Sequence, residues 1–167
     1  MEPLSPAHVQ DVLDQLGPGT QIRYFDSTTA TSQQAADNIG CQLGQIVKSI
    51  CFLVDLEGRR DPVIVLTSGD QKVDDRKVAE LYGVGRKKVK AADADELVAI
   101  FGYPPGSVPP VGHRQRIRTL IDSTLARWEM LYAAGGAHNA IFPVTLPTLQ
   151  AISGGELRDV VRTAAEG

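Results

Sequence analysis

The sequence predicts an α/β (α+β) fold with a mixed, mostly antiparallel central sheet surrounded by helices. Two observations carry that prediction. Helix-like and strand-like segments interleave along the 167 residues. Several of the strands are also joined by hairpin-length turns, too short for the crossover that a purely parallel sheet requires. No solenoid-length repeat or low-complexity run interrupts the pattern, and 167 residues is a normal size for one domain, expected to span 1–167.

The elements follow in order. Pro6 to Leu16 spaces Val9, Val12, Leu13 and Leu16 along one helical stripe and stops at Gly17-Pro18-Gly19. Residues 21–25 alternate and suit a strand. Thr31 or Ser32 can cap a helix to Ile39, with Ala35, Ala36 and Ile39 inward and Gly40 as its stop. Gln45 to Asp55 is rich in β-branched residues and predicts a buried strand. "LEGRRD" predicts a turn and "PVIVLTSGD" its hairpin partner. Asp74 or Asp75 starts a helix through Leu81 that Gly83 closes, "KKVKAA" is a short strand, and Asp93 caps a helix through Phe101. Gly102 to Gly112, "GYPPGSVPPVG", is too dense in proline and glycine for regular structure. "IRTLIDS", "EMLYAAGG" and "NAIFPVTL" predict three more strands, and Pro147 to Ile152 a short helix.

Composition narrows the class. Hydrophobic residues make up 43% and charged residues 22%, the balance of a soluble globular protein and not of a disordered chain. Apolar runs such as "PVIVL" fall far short of the roughly 20 residues a membrane span needs. The start, "MEPLSPAHVQ", has neither a basic opening nor an apolar stretch, so a cytoplasmic location is expected. Cys41 and Cys51 make no disulfide framework and read as small apolar residues. A metal pair with His113 or His138 lacks any recognised ligand spacing. A net charge of −3 excludes general nucleic-acid binding, but Arg86, Lys87, Lys88 and Lys90 form one basic cluster and His113, Arg114, Arg116 and Arg118 another. Such local patches either contact phosphates or are solvated faces balanced by nearby acids.

Three places could carry chemistry. Lys48 lies inside an apolar strand, where alternation gives it the same face as Ile50 and Phe52. An ammonium there is costly unless it is partnered or reaches water. It is either a strand-end lysine with a packed stem or a cation on a pocket wall, binding a carbonyl oxygen or phosphate. The loop from Gly102 through Gly106 and Gly112 to His113 could fix backbone N–H groups toward an oxyanion or phosphate, or be purely structural. "AAGGAHN", residues 133–139, is expected to mark a hairpin or a close backbone approach, with His138 and Asn139 as candidate ligand contacts or exposed turn tips. A serine-hydrolase elbow, a zinc-protease motif, a Walker loop and a dinucleotide fingerprint are all absent from the sequence.

Taken in order, four segments resemble the YbaK/ProX family of aminoacyl-tRNA editing domains. They are "TSQQAADNIGCQLGQIVKSICFLVD", "GDQKVDDRKVAELYG", "GYPPGSVPPVGHRQRIRTLID" and "YAAGGAHNAIFPVTLPTLQAI", together running from about Thr31 to Ile152. The resemblance implies a free-standing deacylase that hydrolyses the ester of a mischarged aminoacyl-tRNA without a cofactor or metal. Lys48 matches the family's essential lysine, and Gly106 the loop glycine whose backbone contacts substrate carbonyl and water. Thr31, Gly112, His113, Gly135, Gly136 and His138 are the expected substrate-binding residues, the three glycines matching ones that shape the family's pocket. A positioned water would attack, helped by the terminal tRNA hydroxyl. The implied partners are a mischarged tRNA acceptor end and, as a candidate, a prolyl-tRNA synthetase; neither a membrane nor DNA is implied. Ala134 stands where the cysteine-specific branch usually has Ser, and Ser107 and Pro109 also depart from its loop. These departures favour another small residue, such as alanine, serine or threonine, on tRNA(Pro). Arg114, Arg116 and Arg118 alternate after the loop and are expected to contact acceptor-end phosphates from one face. The alternative is a non-catalytic module of the same fold that binds tRNA ends, nucleotides or a synthetase.

Overall fold

The computed structural model describes residues 1–163. A single mixed sheet runs in the order β1-β7-β6-β2-β3-β5-β8, with β4 added to the far half of β2. The strands are β1 (Arg23–Tyr24), β2 (Ile46–Leu56), β3 (Arg59–Ser68), β4 (Val89–Ala91), β5 (Arg118–Asp122), β6 (Leu131–Ala134), β7 (Ala140–Val144) and β8 (Glu156–Arg158). The hairpins β2–β3 and β6–β7 are antiparallel, as are β1–β7 and β2–β4. The pairs β2–β6, β3–β5 and β5–β8 are parallel.

The centre of the sheet is apolar on both faces, which is why β2 and β3 read as near-continuous hydrophobic runs. Val47, Cys51, Leu53, Ile64 and Leu66 face one side, where α1 (Pro6–Leu16), α5 (Leu146–Ser153) and the 102–117 segment cover them. Phe52, Val54, Val63 and Val65 face the other, under α3 (Asp75–Tyr82). On that same side α2 (Ser32–Ile39) seats Ala35 and Ala36 on Ile46 and Ile141.

The helices start and stop where their local chemistry dictates. Ser5, Thr31, Asp74 and Thr145 cap α1, α2, α3 and α5, and a left-handed glycine ends each of them. Four details differ from the sequence expectation. The first strand shrinks to two residues because the Ile22 N–H is taken by the Gln10 side chain, not by a neighbouring strand. The β2–β3 turn is only Glu57-Gly58, because Arg60 pairs with Asp55 across the strands and Arg59 with Asp61 beside it, extending the ladder. The helix after Asp93 begins as α4 (Ala94–Glu96) but widens into a π-turn over Leu97–Phe101, where the Gly102 N–H reaches back to the Leu97 carbonyl. Finally, β8 was not expected. It is a short, mostly exposed edge beside β5, fixed by the Val160 N–H on the Asp122 carboxylate at 2.9 Å.

Candidate active site

Lys48, Thr31 and Gly106 come together at one cavity of about 250 Å³. Its floor is β2 from Ile46 to Cys51; Thr29 to Ser32 and Ala35 form one wall, Pro105, Gly106 and Val108 another, and Ala91, Ala92, Leu97 and Ala134 close the ends. The cavity exists because β2 has a different neighbour on each half. β6 pairs with it only at Ile46 and Val47, and β4 only from Phe52 onward.

Lys48 is half-buried, and its Nζ donates to the Gln71 carbonyl at 2.8 Å. Burial lowers its pKa, the Lys72 cation lowers it further, and Asp70 opposes them. One of three ammonium hydrogens is thus used within the protein, leaving two for a ligand. The turn that carries Gln71 is held in place. The Gly69 N–H donates to the Ile46 carbonyl at 2.8 Å and the Gln71 N–H to the Ser68 carbonyl at 3.0 Å. Arg127 grips the Asp70 carboxylate at 2.8 Å and the Ser68 hydroxyl at 2.9 Å. Thr67, the cross-strand partner of Lys48, buries its hydroxyl without a hydrogen-bond partner.

Gly106 lies against the Ala30 backbone. At φ +79° a side chain would be strained, and its Cβ would come 2.8 Å from the Ala30 carbonyl oxygen. Gly106 lines the cavity, and its N–H has no acceptor among the described residues. Thr31 is the α2 cap. Its hydroxyl accepts from the Gln34 N–H, so it presents the first turn of the helix to the cavity. Cys51 also lines the cavity, but burial pushes its thiol up to about 12, which keeps it protonated and unsuited to nucleophilic attack.

The other expected residues lie outside this cavity. The Tyr103 hydroxyl donates to the Gly112 carbonyl at 2.7 Å, and the His113 Nε2 lies 2.7 Å from the Pro109 carbonyl; both contacts brace the loop from behind. Burial lowers the His113 pKa. Gly136 lets Val9 and Tyr103 approach, and the Gly135 N–H closes the β6–β7 hairpin on the Ala140 carbonyl. His138 is exposed, yet its carbonyl accepts from the Thr29 N–H, tying the Thr28–Thr29 segment to that hairpin. The expected common face of Arg114, Arg116 and Arg118 does not form, because β5 begins only at Arg118. Arg114 bonds the carbonyls of Val98 and Glu2 on the α1 side of the sheet. Arg118 pairs with Glu156 at 2.7 Å and lies over the Tyr82 ring on the α3 side. Arg116 is exposed and has no partner among the described residues. Among those residues no group of three His, Cys, Asp or Glu side chains is placed to hold a metal, and no helix is long and apolar enough to cross a membrane.

The family model for the aminoacyl-tRNA editing domain matches residues 26–152, a span that includes every wall of the cavity. The chain belongs to this family. Among relatives of the editing domain, an uncharacterised protein of Bacillus subtilis, YwhH, is 30% identical over 79% of this chain and 80% of its own length. The proline–tRNA ligase of Limosilactobacillus fermentum is 33% identical over 57% of this chain, but that match spans only 16% of the ligase. A solved structure described as that of a candidate trans-editing enzyme for prolyl-tRNA synthetase superposes with a TM-score of 0.85 at 30% identity. It covers 95% of this chain and 97% of the other.

The sequence reading missed three contributors to the editing-domain cavity. Ala30 and the Gln71 carbonyl act through backbone, which leaves no side-chain signature. Arg127 acts from 57 residues beyond Asp70.

Proposed function

We propose that this chain is a trans-editing deacylase that hydrolyses mischarged aminoacyl-tRNA, with a small amino acid such as alanine, serine or threonine carried on tRNA(Pro). The observation that supports it best is the joint placement of Lys48 and Gly106 at a small cavity in an editing-domain fold. Lys48 holds the substrate in place electrostatically. The Gly106 N–H, fixed by the close contact with Ala30, donates to the oxyanion as it forms. With Cys51 protonated, water is the nucleophile, positioned with the help of the tRNA's terminal hydroxyl. The ester bond to the ribose oxygen breaks, and free amino acid and tRNA leave. The named small amino acids fit a cavity of about 250 Å³ lined by Ala35, Ala91, Ala92 and Ala134.

The cytoplasm, where charged tRNA is used, is the location this reading requires. A prolyl-tRNA synthetase is the candidate partner, because editing domains of this kind also occur within proline–tRNA ligases. Arg116 is the exposed member of the proposed phosphate-contacting group; Arg114 and Arg118 would have to leave protein partners to join it.

The test is deacylation of alanyl-, seryl-, threonyl- and cysteinyl-tRNA(Pro) beside correctly charged prolyl-tRNA(Pro). Turnover of one or two mischarged species with the correct one spared supports the proposal. Binding of tRNA without turnover of any species would replace it with the non-catalytic module.

A further inference from the structure

We infer that the backbone of Ser49 is the binding site for the α-ammonium group of the substrate, the aminoacyl residue seating itself as one extra strand residue in a gap of the sheet. The inference rests on the deacylase reading and specifies how its cavity recognises an amino acid.

Residues of β2 direct their peptide groups alternately to the two edges. The Gly69 N–H bonds the Ile46 carbonyl, and Lys48 lies opposite Thr67, so the even-numbered residues of β2 bond β3. Val47, Ser49, Cys51 and Leu53 therefore aim their N–H and C=O groups at the other edge. Val47 meets β6 there, and Leu53 meets β4. The Cys51 carbonyl takes the Ala92 N–H at 3.0 Å. Ser49 is left between them. β6 turns away at Gly135 to close its own hairpin, and β4 comes no nearer than Ala92. No described residue bonds either backbone group of Ser49 across this gap, and Ser49 lines the cavity.

An unpaired strand residue offers one donor and one acceptor at fixed spacing. An α-aminoacyl ester offers the complement: an ammonium and an ester carbonyl separated by a single carbon, as in a peptide residue. The ammonium donates to the Ser49 carbonyl, and the ester carbonyl accepts from the Ser49 N–H. No aspartate or glutamate lines the cavity, so no carboxylate competes for the ammonium. Lys48 lies on an even position and its Nζ donates to the Gln71 carbonyl, so that bond leaves the Ser49 backbone groups unused. Recognition by backbone also leaves the substrate side chain free to be judged by the cavity walls.

The test compares three esters on the same tRNA: the aminoacyl form, its deaminated α-hydroxyacyl counterpart and its N-acetyl derivative. Each is read as kcat/KM divided by its spontaneous hydrolysis rate. The hydroxyl still donates but carries no charge, so the lost charge assistance predicts a fall of roughly 10-fold for the hydroxyacyl ester and a larger one for the bulkier N-acetyl form. The ratio of aminoacyl to hydroxyacyl rates persists in Ser49→Ala, which keeps the backbone and removes the hydroxyl. Replacing Ser49 by its α-hydroxy acid deletes a backbone N–H that no strand uses and weakens the Lys48 carbonyl as an acceptor from β3; with melts confirming the fold, it lowers the aminoacyl rate by about 10-fold. Equal normalised rates for aminoacyl and hydroxyacyl esters overturn the inference, as does loss of the ratio in Ser49→Ala, which would assign the contact to the hydroxyl. If the wild-type protein cleaves none of the esters, the deacylase reading itself fails, a result distinct from cleavage without amine discrimination.

Discussion

Gly106 and Gly112 lie in the same loop and both hold a left-handed backbone, yet an added methyl group would meet different surroundings at each. At either site an alanine is strained by on the order of 1–2 kcal/mol. At Gly112 the new Cβ would sit 3.2 Å from the Tyr103 hydroxyl, which a small side-chain movement relieves. At Gly106 it would sit 2.8 Å from the Ala30 carbonyl oxygen, where ordinary contact begins at 3.4 Å. Two backbone segments must then separate by roughly 0.6 Å, and both line the cavity. A misplacement of about 1 Å at a reacting centre costs on the order of 100-fold, so Gly106→Ala is expected to lose roughly 10- to 100-fold in single-turnover deacylation. Gly112→Ala should keep its rate within a few-fold. Both should lower the melting temperature by about 2–8 °C, from the strain and the 2–4 °C per kcal/mol typical of this chain length. Thermal melts and single-turnover assays of the two variants side by side decide the matter. Equal loss of activity in both, or full activity in Gly106→Ala, would refute the argument that this one contact sets the wall.

Other outcomes follow from the same geometry. Thr67→Val removes a buried hydroxyl that has no partner and should stabilise the fold by about 1 kcal/mol; a destabilised variant in denaturant melts would contradict it. Cys51→Ala should retain deacylation within a few-fold, because a thiol pushed up to about 12 cannot serve as the nucleophile; a loss of 100-fold or more would assign it a chemical role. His113 is held below the ordinary histidine range by burial, so the unfolded chain takes up its proton first as pH falls. Its neutral form therefore supports the fold fully above about pH 6.5, and that support is lost as pH drops through the lowered folded value. In pH-dependent melts, His113→Asn should show a shallower loss of stability across that window than the wild type, and parallel curves would count against the assignment.

Much of the fold was legible because its signals are local. Thr31 and Asp74 announce their helices, Gly17, Gly40 and Gly83 end them, and the turn sequence around Gly58 marks the central hairpin. β1 and β8 were poorly legible or invisible, since each is a short, exposed edge whose existence depends on a distant strand needing a neighbour. In the site, Lys48 stood out as a cation in an apolar run, and the Gly106 loop stood out by its composition. The gap beside Ser49 could not be read, because it depends on where β6 and β4 stop along β2. The dispersal of the arginines after the loop was illegible for a related reason. The partners of Arg118, Glu156 and Tyr82, lie 38 and 36 positions away, and nothing in the run from Arg114 to Arg118 reveals them.

The central claim is that Lys48 serves catalysis and not the fold. The most direct measurement is deacylation of the preferred mischarged tRNA by wild type, Lys48→Ala and Lys48→Met, with thermal melts of all three. The account predicts a loss of roughly 100-fold or more in both variants, at melting temperatures equal to or above that of the wild type, since a partly desolvated cation is removed. Variants that deacylate at the wild-type rate, or that lose activity only because they unfold, would contradict it.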